Sequence, residues 1–259
     1  MTPVNAPGEV SSPSSHAHRA SAADASASQS FNARASRALQ RCIDPDCGAE
    51  FPIDQVLVSC ARCGGLLDIA YDWRARPFDS FDYFARRSGT RGPRGTAGGH
   101  DATESALDYS GVWRFRELMP FYEDPARIVT VGEGRTNLQR ADMLAKAIGM
   151  DLSGGGRLML QYEGFNPSGS FKDNGMTAAF THARMVSARR VACASTGNTS
   201  ASLALYAALA GFECYVFIGD GRIAFGKLSQ ALEYGAITLQ VAGDFDACLA
   251  RVRHIAEKV

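Results

Sequence analysis

The second half of the chain contains four short apolar runs of the kind that form buried strands. The runs are LMLQYE at 158–163, VACAS at 191–195, ECYVFIG at 213–219 and AITLQVAG at 236–243. Polar or glycine-rich sequence follows each run, and helical patterns lie between them. Strands that alternate with helices predict an α/β fold, in which helices flank parallel twisted sheets through right-handed crossovers.

Three segments have helical patterns. In the first and the last, apolar residues recur at spacings of three and four, whereas residues 199–210 are apolar on nearly every side, as in a buried helix. The recurring residues are Met176, Ala179, Phe180, Ala183 and Val186 in the first segment, and Phe245, Cys248, Leu249, Val252 and Ile255 in the last. Ligands of such folds bind beyond the carboxyl ends of the strands. The binding loops are therefore expected at 164–175, 195–199 and 219–227.

Composition divides the chain into four parts. Residues 1–40 are rich in Ala and Ser and have no hydrophobic period, which predicts a disordered tail. A transit peptide is the alternative, because such peptides are rich in Ser and Arg and poor in acidic residues. Residues 41–73 form a compact cysteine-bearing segment, and residues 86–111 form a Gly- and Arg-rich insertion or linker. Residues 112–259 have the composition of a packed domain.

The charge balance limits the classes of function. Lys plus Arg number 27 and Asp plus Glu number 27, so the formal net charge is zero. Coating nucleic acid requires an excess of clustered basic residues, so no nucleic-acid partner is expected. The longest uncharged run, 191–212, is too polar in its first half to span a membrane. With 46% hydrophobic residues, the chain can bury a globular core.

Seven cysteines, an odd number, argue against a disulfide framework and favour a reducing compartment, the cytoplasm. Four of them form the pattern Cys42-x4-Cys47-Gly, then Cys60-x2-Cys63-Gly-Gly. Two knuckles of this kind are typical of a zinc ribbon, in which four thiolates hold one structural Zn²⁺ tetrahedrally. Free thiols or bound iron are the alternatives. The other three, expected to act as small hydrophobic residues, are Cys193, Cys214 and Cys248.

A lysine stands in the first expected binding loop, Glu163-Gly-Phe-Asn-Pro-Ser-Gly-Ser-Phe-Lys172-Asp-Asn-Gly175. The loop leaves a strand and places Lys172 at the start of the next helix. The positive end of the helix dipole disfavours a cation there, which predicts a lowered pKa for Lys172. A neutral lysine amine is a nucleophile suited to Schiff-base chemistry. A solvated loop lysine is the alternative interpretation.

The second expected loop, Ala194-Ser-Thr-Gly-Asn-Thr-Ser200, also joins a strand to a helix. Gly197 lets a ligand approach the backbone closely, and the free N–H groups at the start of the helix can hold a carboxylate or a phosphate. An ordinary helix N-cap provided by Ser, Thr or Asn is the alternative interpretation.

Together, NPSGSFKDNG and ASTGNTSAS closely resemble the paired signature of pyridoxal-phosphate enzymes of fold type II, the tryptophan synthase β group. Within this group the chain is most similar to the threonine synthase family, which has a Gly-Glu-Gly-x-Thr segment upstream, here Gly132-Glu-Gly-Arg-Thr136. The resemblance covers roughly residues 110–259, and some family members also carry a zinc-ribbon segment. The resemblance implies conversion of O-phospho-L-homoserine and water to L-threonine and phosphate, in threonine biosynthesis. It leaves open whether the protein forms a homodimer.

The resemblance also assigns site residues. Lys172 is expected to bind pyridoxal 5′-phosphate covalently and to move protons, and Asn198 to hydrogen-bond the hydroxyl group of the cofactor ring. The residues expected to bind the substrate are Thr136, Ser195, Thr196, Gly197 and Thr199. The chain departs from the usual family residues at Asn137, where Pro is frequent, and at Asn174, where Arg is frequent. The resemblance therefore assigns the lysine more firmly than the exact substrate.

Two other functions remain open. A different fold type II lyase, such as a threonine or serine dehydratase or a cysteine synthase-like enzyme, would use the same cofactor. A non-catalytic protein would use the zinc ribbon as its binding module. The family's Gly-rich loop for the cofactor phosphate and its partner for the pyridine nitrogen are not recognisable after Val241. We therefore expect a C-terminally truncated catalytic domain that binds the cofactor weakly.

Overall fold

The computed structural model describes residues 37–73, 78, 80–85, 87, 107–220 and 225–258. The predicted tail, apart from its last four residues, and most of the Gly- and Arg-rich segment lie outside the described residues, as does part of the expected loop at 219–227. Within the described residues the strands form a three-stranded antiparallel sheet, a two-stranded antiparallel sheet and a three-stranded parallel sheet.

The first antiparallel sheet contains the cysteine-bearing segment. Its strands are β1 (Ala38–Cys42), β2 (Glu50–Pro52) and β3 (Leu67–Tyr71), and β1 lies in the centre. Gln40 of β1 lies opposite Phe51 on one side and opposite Ile69 on the other. This pairing corrects the predicted end of the tail, because residues 38–40 belong to β1 and pair with strands that come later in the sequence. A short helix, α1 (Asp82–Ala85), follows this sheet.

The second antiparallel sheet corrects one predicted strand. β4 (Leu138–Arg140) pairs with β5 (Met159–Gln161), and helix α2 (Asp142–Ala147) lies between them in the sequence. The apolar run at 158–163, expected to be a buried strand, forms β5, and all three β5 residues are exposed. A short apolar run has the same pattern in a buried or an exposed strand, so its neighbours decide the burial. Short 3-10 helical segments occur at Trp113–Leu118, Pro125–Arg127, Ser153–Gly155 and Glu163–Phe165.

The parallel sheet confirms the predicted α/β architecture. Its strands, in spatial order, are β6 (Arg190–Ala194), β7 (Glu213–Gly219) and β8 (Ile237–Val241). The accompanying helices are α3 (Lys172–Met185), α4 (Asn198–Ala210), α5 (Phe225–Glu233) and α6 (Phe245–Ala256). The central strand β7 buries Cys214, Val216, Phe217 and Ile218, whereas the edge strands β6 and β8 are more exposed.

The hydrophobic core lies around α4 and β7. Its buried members are Val129, Phe180, Leu203, Ala204, Tyr206, Ala207, Cys214, Val216, Ile218, Ala231 and Ala236. The segment predicted as a buried helix, 199–210, is the central part of this core, and α4 ends at Gly211 in the left-handed conformation that favours glycine. None of the described helices combines the length and the apolar character needed to cross a bilayer.

The buried face of α3 is more polar than predicted. Ala179, expected in the apolar stripe, is exposed. Asp173, Thr177 and Thr181 are instead buried. The hydroxyl of Thr177 donates to the carbonyl oxygen of Val129 at 2.6 Å, and the hydroxyl of Thr181 accepts from the N–H of Val129 at 3.0 Å. Because these buried polar groups have partners, their burial carries little penalty.

Candidate active site and cysteine cluster

Lys172 is the first residue of α3, where the sequence predicts it. The preceding turn contains Gly169, whose φ of +79° is a left-handed conformation that glycine adopts without steric cost. The N–H of Gly169 donates to the carbonyl oxygen of Asn166 at 2.8 Å. The Lys172 side chain is partly buried, and its Nζ lies 4.8 Å from the centroid of the Phe171 ring. The amine therefore lies at the start of a helix, over an aromatic face.

Asp173, the residue after Lys172, connects the lysine loop to the neighbouring helix. Its carboxylate is fully buried and accepts the N–H and the hydroxyl of Ser168, each at 2.6 Å. It also accepts the hydroxyl of Ser202, which belongs to α4. Because Ser202 lies one helical turn after Asn198, these contacts fix the starts of α3 and α4 next to each other.

The loop between β6 and α4 leaves backbone donors available at the start of α4. The N–H of Ser195 donates to the carbonyl oxygen of Phe217 at 3.1 Å, and the N–H of Gly197 donates to Ser195 Oγ at 3.1 Å. Helix α4 begins at Asn198, and no side chain among the described residues caps it. The N–H groups of the first turn, at the positive end of the helix dipole, can therefore bind an anion.

A cavity of about 120 Å³ opens at the carboxyl ends of β6 and β7. Its lining residues are Ser195, Thr196, Phe217, Gly219, Asp220, Phe245 and Cys248. The carboxylate of Asp220 accepts the side-chain amide of Gln240 at 3.1 Å. The cavity lies at the edge of the sheet where the sequence analysis expects ligands, and two predicted substrate-binding residues contribute to its wall.

Glu163, at the start of the lysine loop, accepts hydrogen bonds from three polar side chains. Its carboxylate accepts Thr136 Oγ1 at 2.8 Å, Asn166 Nδ2 at 2.9 Å and Asn174 Nδ2 at 3.2 Å. The Oδ1 atom of Asn174 is buried and has no hydrogen-bond partner among the described residues. Sequence reasoning did not identify Glu163 as a site residue. The available signal was an acidic side chain at the point where a strand enters the lysine loop.

A second carboxylate, that of Glu133, lies fully buried within the Gly-Glu-Gly-Arg-Thr segment. It accepts four hydrogen bonds at 2.6–3.0 Å, from Ser110, Thr130 and Tyr206 hydroxyls and from the N–H of Val131. Burial, together with the nearby Glu133 carboxylate, raises the pKa of Tyr206 far above its usual range. Glu133 thereby fastens the predicted substrate segment to α4, a role that the sequence analysis missed.

The predicted site residues thus occupy three places. Lys172, Asn198 and Thr199 lie in the first turns of two helices that contact each other. Ser195 and Thr196 lie in the cavity wall, while Thr136 contacts α3 through Glu163 and Asn174. Among the described residues, no hydrogen bond joins the amine of Lys172 to Asn198; the path between them runs through Asp173 and Ser202.

The four clustered cysteines converge on one point. The sulfur atoms of Cys42, Cys47, Cys60 and Cys63 all lie within 4.8 Å of one another. Cys42 Sγ lies 3.4 Å from Cys63 Sγ, and Cys47 Sγ lies 3.8 Å from Cys60 Sγ. A tetrahedral Zn²⁺ with Zn–S bonds of about 2.3 Å separates its sulfur ligands by roughly 3.8 Å. The distances and the thiol donor set therefore fit a four-coordinate metal ion.

The three remaining cysteines belong to the interior of the parallel sheet and α6. Cys214 and Cys248 are buried and Cys193 is partly buried. Burial raises the pKa of the Cys193 thiol to about 12 and that of the Cys214 thiol to about 11. Protonated, buried thiols of this kind pack as small hydrophobic groups, in agreement with the sequence analysis.

Comparison with known proteins decides the family. Residues 129–259, about half of the chain, match the model of the family described as "Pyridoxal-phosphate dependent enzyme". The chain belongs to this family. The match includes Lys172 and Asn198, so the resemblance based on NPSGSFKDNG and ASTGNTSAS is confirmed at the level of the pyridoxal-phosphate dependent enzymes.

This chain is similar to several curated threonine synthases. Identity to that of Methanosarcina acetivorans is 39% over 218 residues, covering 84% of this chain and 46% of that protein. The chain is 39% identical to the threonine synthase of Methanocaldococcus jannaschii over 221 residues, which cover 85% of this chain and 47% of that protein. It is 46% identical to the threonine synthase of Synechocystis over 154 residues, which cover 57% of this chain and 39% of that protein. The chain spans about half the length of the first two relatives.

The donor set of the site fits the cofactor of the pyridoxal-phosphate dependent enzymes. Lys172 offers an amine that could react with the cofactor aldehyde, and the start of α4 offers backbone N–H groups that could hold anionic groups. A Cβ built on Gly197 would have no atom within 4 Å, so open space lies beside this part of the backbone. Open space and hydrogen-bond donors therefore occur together at the loop between β6 and α4, where the sequence predicts ligand binding.

Proposed function

We propose that the chain acts as a threonine synthase, which converts O-phospho-L-homoserine and water to L-threonine and phosphate. One observation supports this most directly: Asp173 joins the turn before Lys172 to Ser202 of α4, and so brings the lysine motif and the start of α4 together. The similarity to threonine synthases from two archaea and a cyanobacterium agrees with this assignment.

Lys172 would hold pyridoxal phosphate through its amine and would move protons at Cα and Cβ of the substrate. A lysine suits both tasks, because its neutral amine is a nucleophile and a base. Asn198, at the start of α4, would donate a hydrogen bond to the hydroxyl group of the cofactor ring. When bound, the cofactor supplies an electron sink that stabilises negative charge at Cα.

The carboxylate of the amino-acid substrate would lie at the start of α4. The groups assigned to it are the side chains of Ser195, Thr196 and Thr199 and the N–H groups of the Gly197 loop. An uncapped helix N-terminus attracts an anion through its free N–H groups and its dipole. Thr136 would line the other side of the substrate, held in place by the carboxylate of Glu163.

Cofactor spectroscopy and product analysis test this proposal. Lys172→Ala should lose the absorbance of protein-bound pyridoxal phosphate, whereas Lys146→Ala, at an exposed position of α2, should retain it. Phosphate release from O-phosphohomoserine would distinguish a threonine synthase from a dehydratase, which would form a keto acid from threonine or serine. A Lys172→Ala protein that remains yellow and active would contradict the proposal.

We also propose that Cys42, Cys47, Cys60 and Cys63 hold one structural zinc ion. Four thiolates form a closed tetrahedral site without an open position for substrate, so the ion would stabilise the segment and take no part in catalysis. Metal analysis of the purified protein should give one zinc per chain, and Cys60→Ser should lower this content. Substoichiometric zinc, or iron in its place, would contradict the assignment.

We also propose a cytoplasmic location, because free thiols and zinc thiolates persist in a reducing compartment. Imaging of a fluorescent fusion would test it, with an organelle as the contrary outcome. The homodimer left open by the resemblance stays a prediction, which sedimentation equilibrium can test.

A further inference from the structure

Ser168, four residues before Lys172, is held from two sides. Its carbonyl oxygen accepts hydrogen bonds from Lys227 Nζ and Gln230 Nε2, each at 3.1 Å. Its N–H and hydroxyl donate to Asp173, each at 2.6 Å. Ser168 is only 2% exposed, so these contacts satisfy its buried polar atoms. The turn before Lys172 is therefore clamped between α5 and the first turn of α3.

The clamp acts on a turn that contains a conformationally free residue. Gly169 follows Ser168 with a φ of +79°, and glycine has more accessible backbone conformations than any other residue. A Cβ built on Gly169 would lie 3.6 Å from Lys227 Nζ, so the ammonium group lies directly against the turn. Contacts from outside the turn therefore add to its internal hydrogen bond in determining where the following helix begins.

The position of Lys227 is unusual for a lysine. It is one of four in the chain, and it lies in the first turn of α5, where the helix dipole disfavours a cation. Among the described residues its Nζ donates to neutral oxygen atoms, the carbonyl of Ser168 and, at 3.2 Å, Oε1 of Gln230. A hydrogen bond from an ammonium group to a carbonyl is charge-assisted, roughly twice as strong as a neutral one. This bond offsets the unfavourable position.

We propose that Lys227 and Gln230 are positioning residues for Lys172. They fix the carbonyl of Ser168, Ser168 fixes the carboxylate of Asp173, and Asp173 directly follows Lys172 in the chain. The amine of Lys172 is thereby held at one place at the start of α3. The inference rests on the proposed function in one respect, that Lys172 is the lysine that binds pyridoxal phosphate.

The test compares three variants of the full chain. Lys227→Met keeps the length of the side chain and removes the donor, Lys227→Arg restores a donor, and Lys146→Met is the exposed control. Three quantities are measured: the hydrogen exchange of residues 166–173 without cofactor, the midpoint of thermal unfolding, and the rate at which pyridoxal phosphate and borohydride label Lys172. Mass spectrometry of peptides locates the label.

We expect Lys227→Met to speed the exchange of the turn roughly tenfold and to slow the labelling of Lys172 by a similar factor, because one charge-assisted hydrogen bond is lost. Its thermal midpoint should stay close to that of Lys146→Met, and Lys227→Arg should recover most of the labelling rate. A fourth variant, Gln230→Leu, should act in the same direction.

Two results would overturn the inference. One is unchanged hydrogen exchange of the turn in Lys227→Met. The other is a labelling rate that falls no further than the general loss of stability, measured by the thermal midpoint, accounts for. If the wild-type chain itself takes no label at Lys172, the proposed function fails. The exchange measurement still decides on the clamp in that case, because it requires no cofactor.

Discussion

His182 Nε2 lies 2.7 Å from the carbonyl oxygen of Ile53, and this hydrogen bond ties helix α3 to the cysteine-bearing segment. A carbonyl oxygen only accepts, so Nε2 carries the proton in this contact. Ile53 is buried, and Gln40 of β1 donates to the carbonyl oxygens of Pro52 and Gln55 on either side of it. The helix that begins at Lys172 therefore contacts the segment that holds the four cysteines.

Replacing His182 by Ala should loosen this contact. We expect a loss of about 0.5–1.5 kcal/mol in the free energy of unfolding, the usual value of one neutral hydrogen bond. Hydrogen exchange at residues 50–56 should rise, while any metal held by the four cysteines should be retained. His254→Ala, at an exposed position of α6, is the control and should leave both quantities unchanged. Equal effects of the two variants would mean that the His182 contact does not hold the segment.

Two tyrosine hydroxyls donate to carboxylates in different surroundings, which allows a matched comparison. Tyr206 donates to the buried Glu133 at 2.6 Å, and Tyr215 donates to Glu213 at the surface at 3.1 Å. Tyr206→Phe should lower the free energy of unfolding by about 1.5–3 kcal/mol, because a buried carboxylate loses one of its donors. Tyr215→Phe should change it by less than about 0.5 kcal/mol. Urea denaturation measures both, and similar losses would show that Glu133 does not depend on Tyr206.

The sequence predicted the parallel strands and the loop positions because apolar runs and glycine-rich turns are local signals. Lys172 begins α3 as predicted, since the turn through Gly169 interrupts any earlier helix. The burial of Thr177 was not predictable in this way. Its hydroxyl is buried because Val129, far away in the sequence, supplies an acceptor, and a pattern that counts apolar residues does not register such partners.

β4 and β5 illustrate the same limit for strands. β4 consists of three exposed residues and has no apolar period that could mark it. β5 has the apolar composition of a core strand, but it pairs with β4 in a two-stranded sheet and stays exposed. Glu133 was missed for a related reason: an isolated acidic residue between two glycines predicts a solvated turn, and its donors come from three separate segments.

Two glycines provide opposite tests of backbone packing. A Cβ on Gly111 would lie 2.2 Å from the backbone nitrogen of Arg135, so Gly111→Ala must displace the backbone at Gly134 and Arg135, in the predicted substrate segment. We expect a loss of about 1–3 kcal/mol, typical of overpacking. Gly175 lies within α3, and a Cβ there would have no atom within 4 Å. Gly175→Ala should therefore stabilise the protein by about 1 kcal/mol through helix propensity. Thermal unfolding measures both, and a Gly111→Ala protein as stable as the wild type would contradict the close packing.

The buried thiols predict how stability changes in alkaline solution. Burial, with a smaller contribution from the nearby Cys214 thiol, raises the pKa of the Cys193 thiol from 9.0 to about 12 in the folded protein. Burial raises that of Cys214 from 9.0 to about 11. Above pH 9 the unfolded chain therefore loses thiol protons that the folded chain retains, so these thiols make the folded state less stable as the pH rises from 9 toward 12.

Alkylation and pH-dependent unfolding test this expectation together. At pH 8 an alkylating reagent should leave Cys193 and Cys214 unmodified in the folded protein, while the exposed Cys63 reacts once a chelator has removed any metal. In the double variant Cys193→Ala and Cys214→Ala, the free energy of unfolding should fall less steeply above pH 9 than in the wild type, because two groups with displaced pKa values are gone. The cluster cysteines and the tyrosines are unchanged in that variant. Any difference in the pH dependence of the free energy of unfolding is therefore caused by the two buried thiols. An identical slope, or alkylation of Cys193 as fast as that of Cys63, would mean that these thiols are open to solvent and ionise normally.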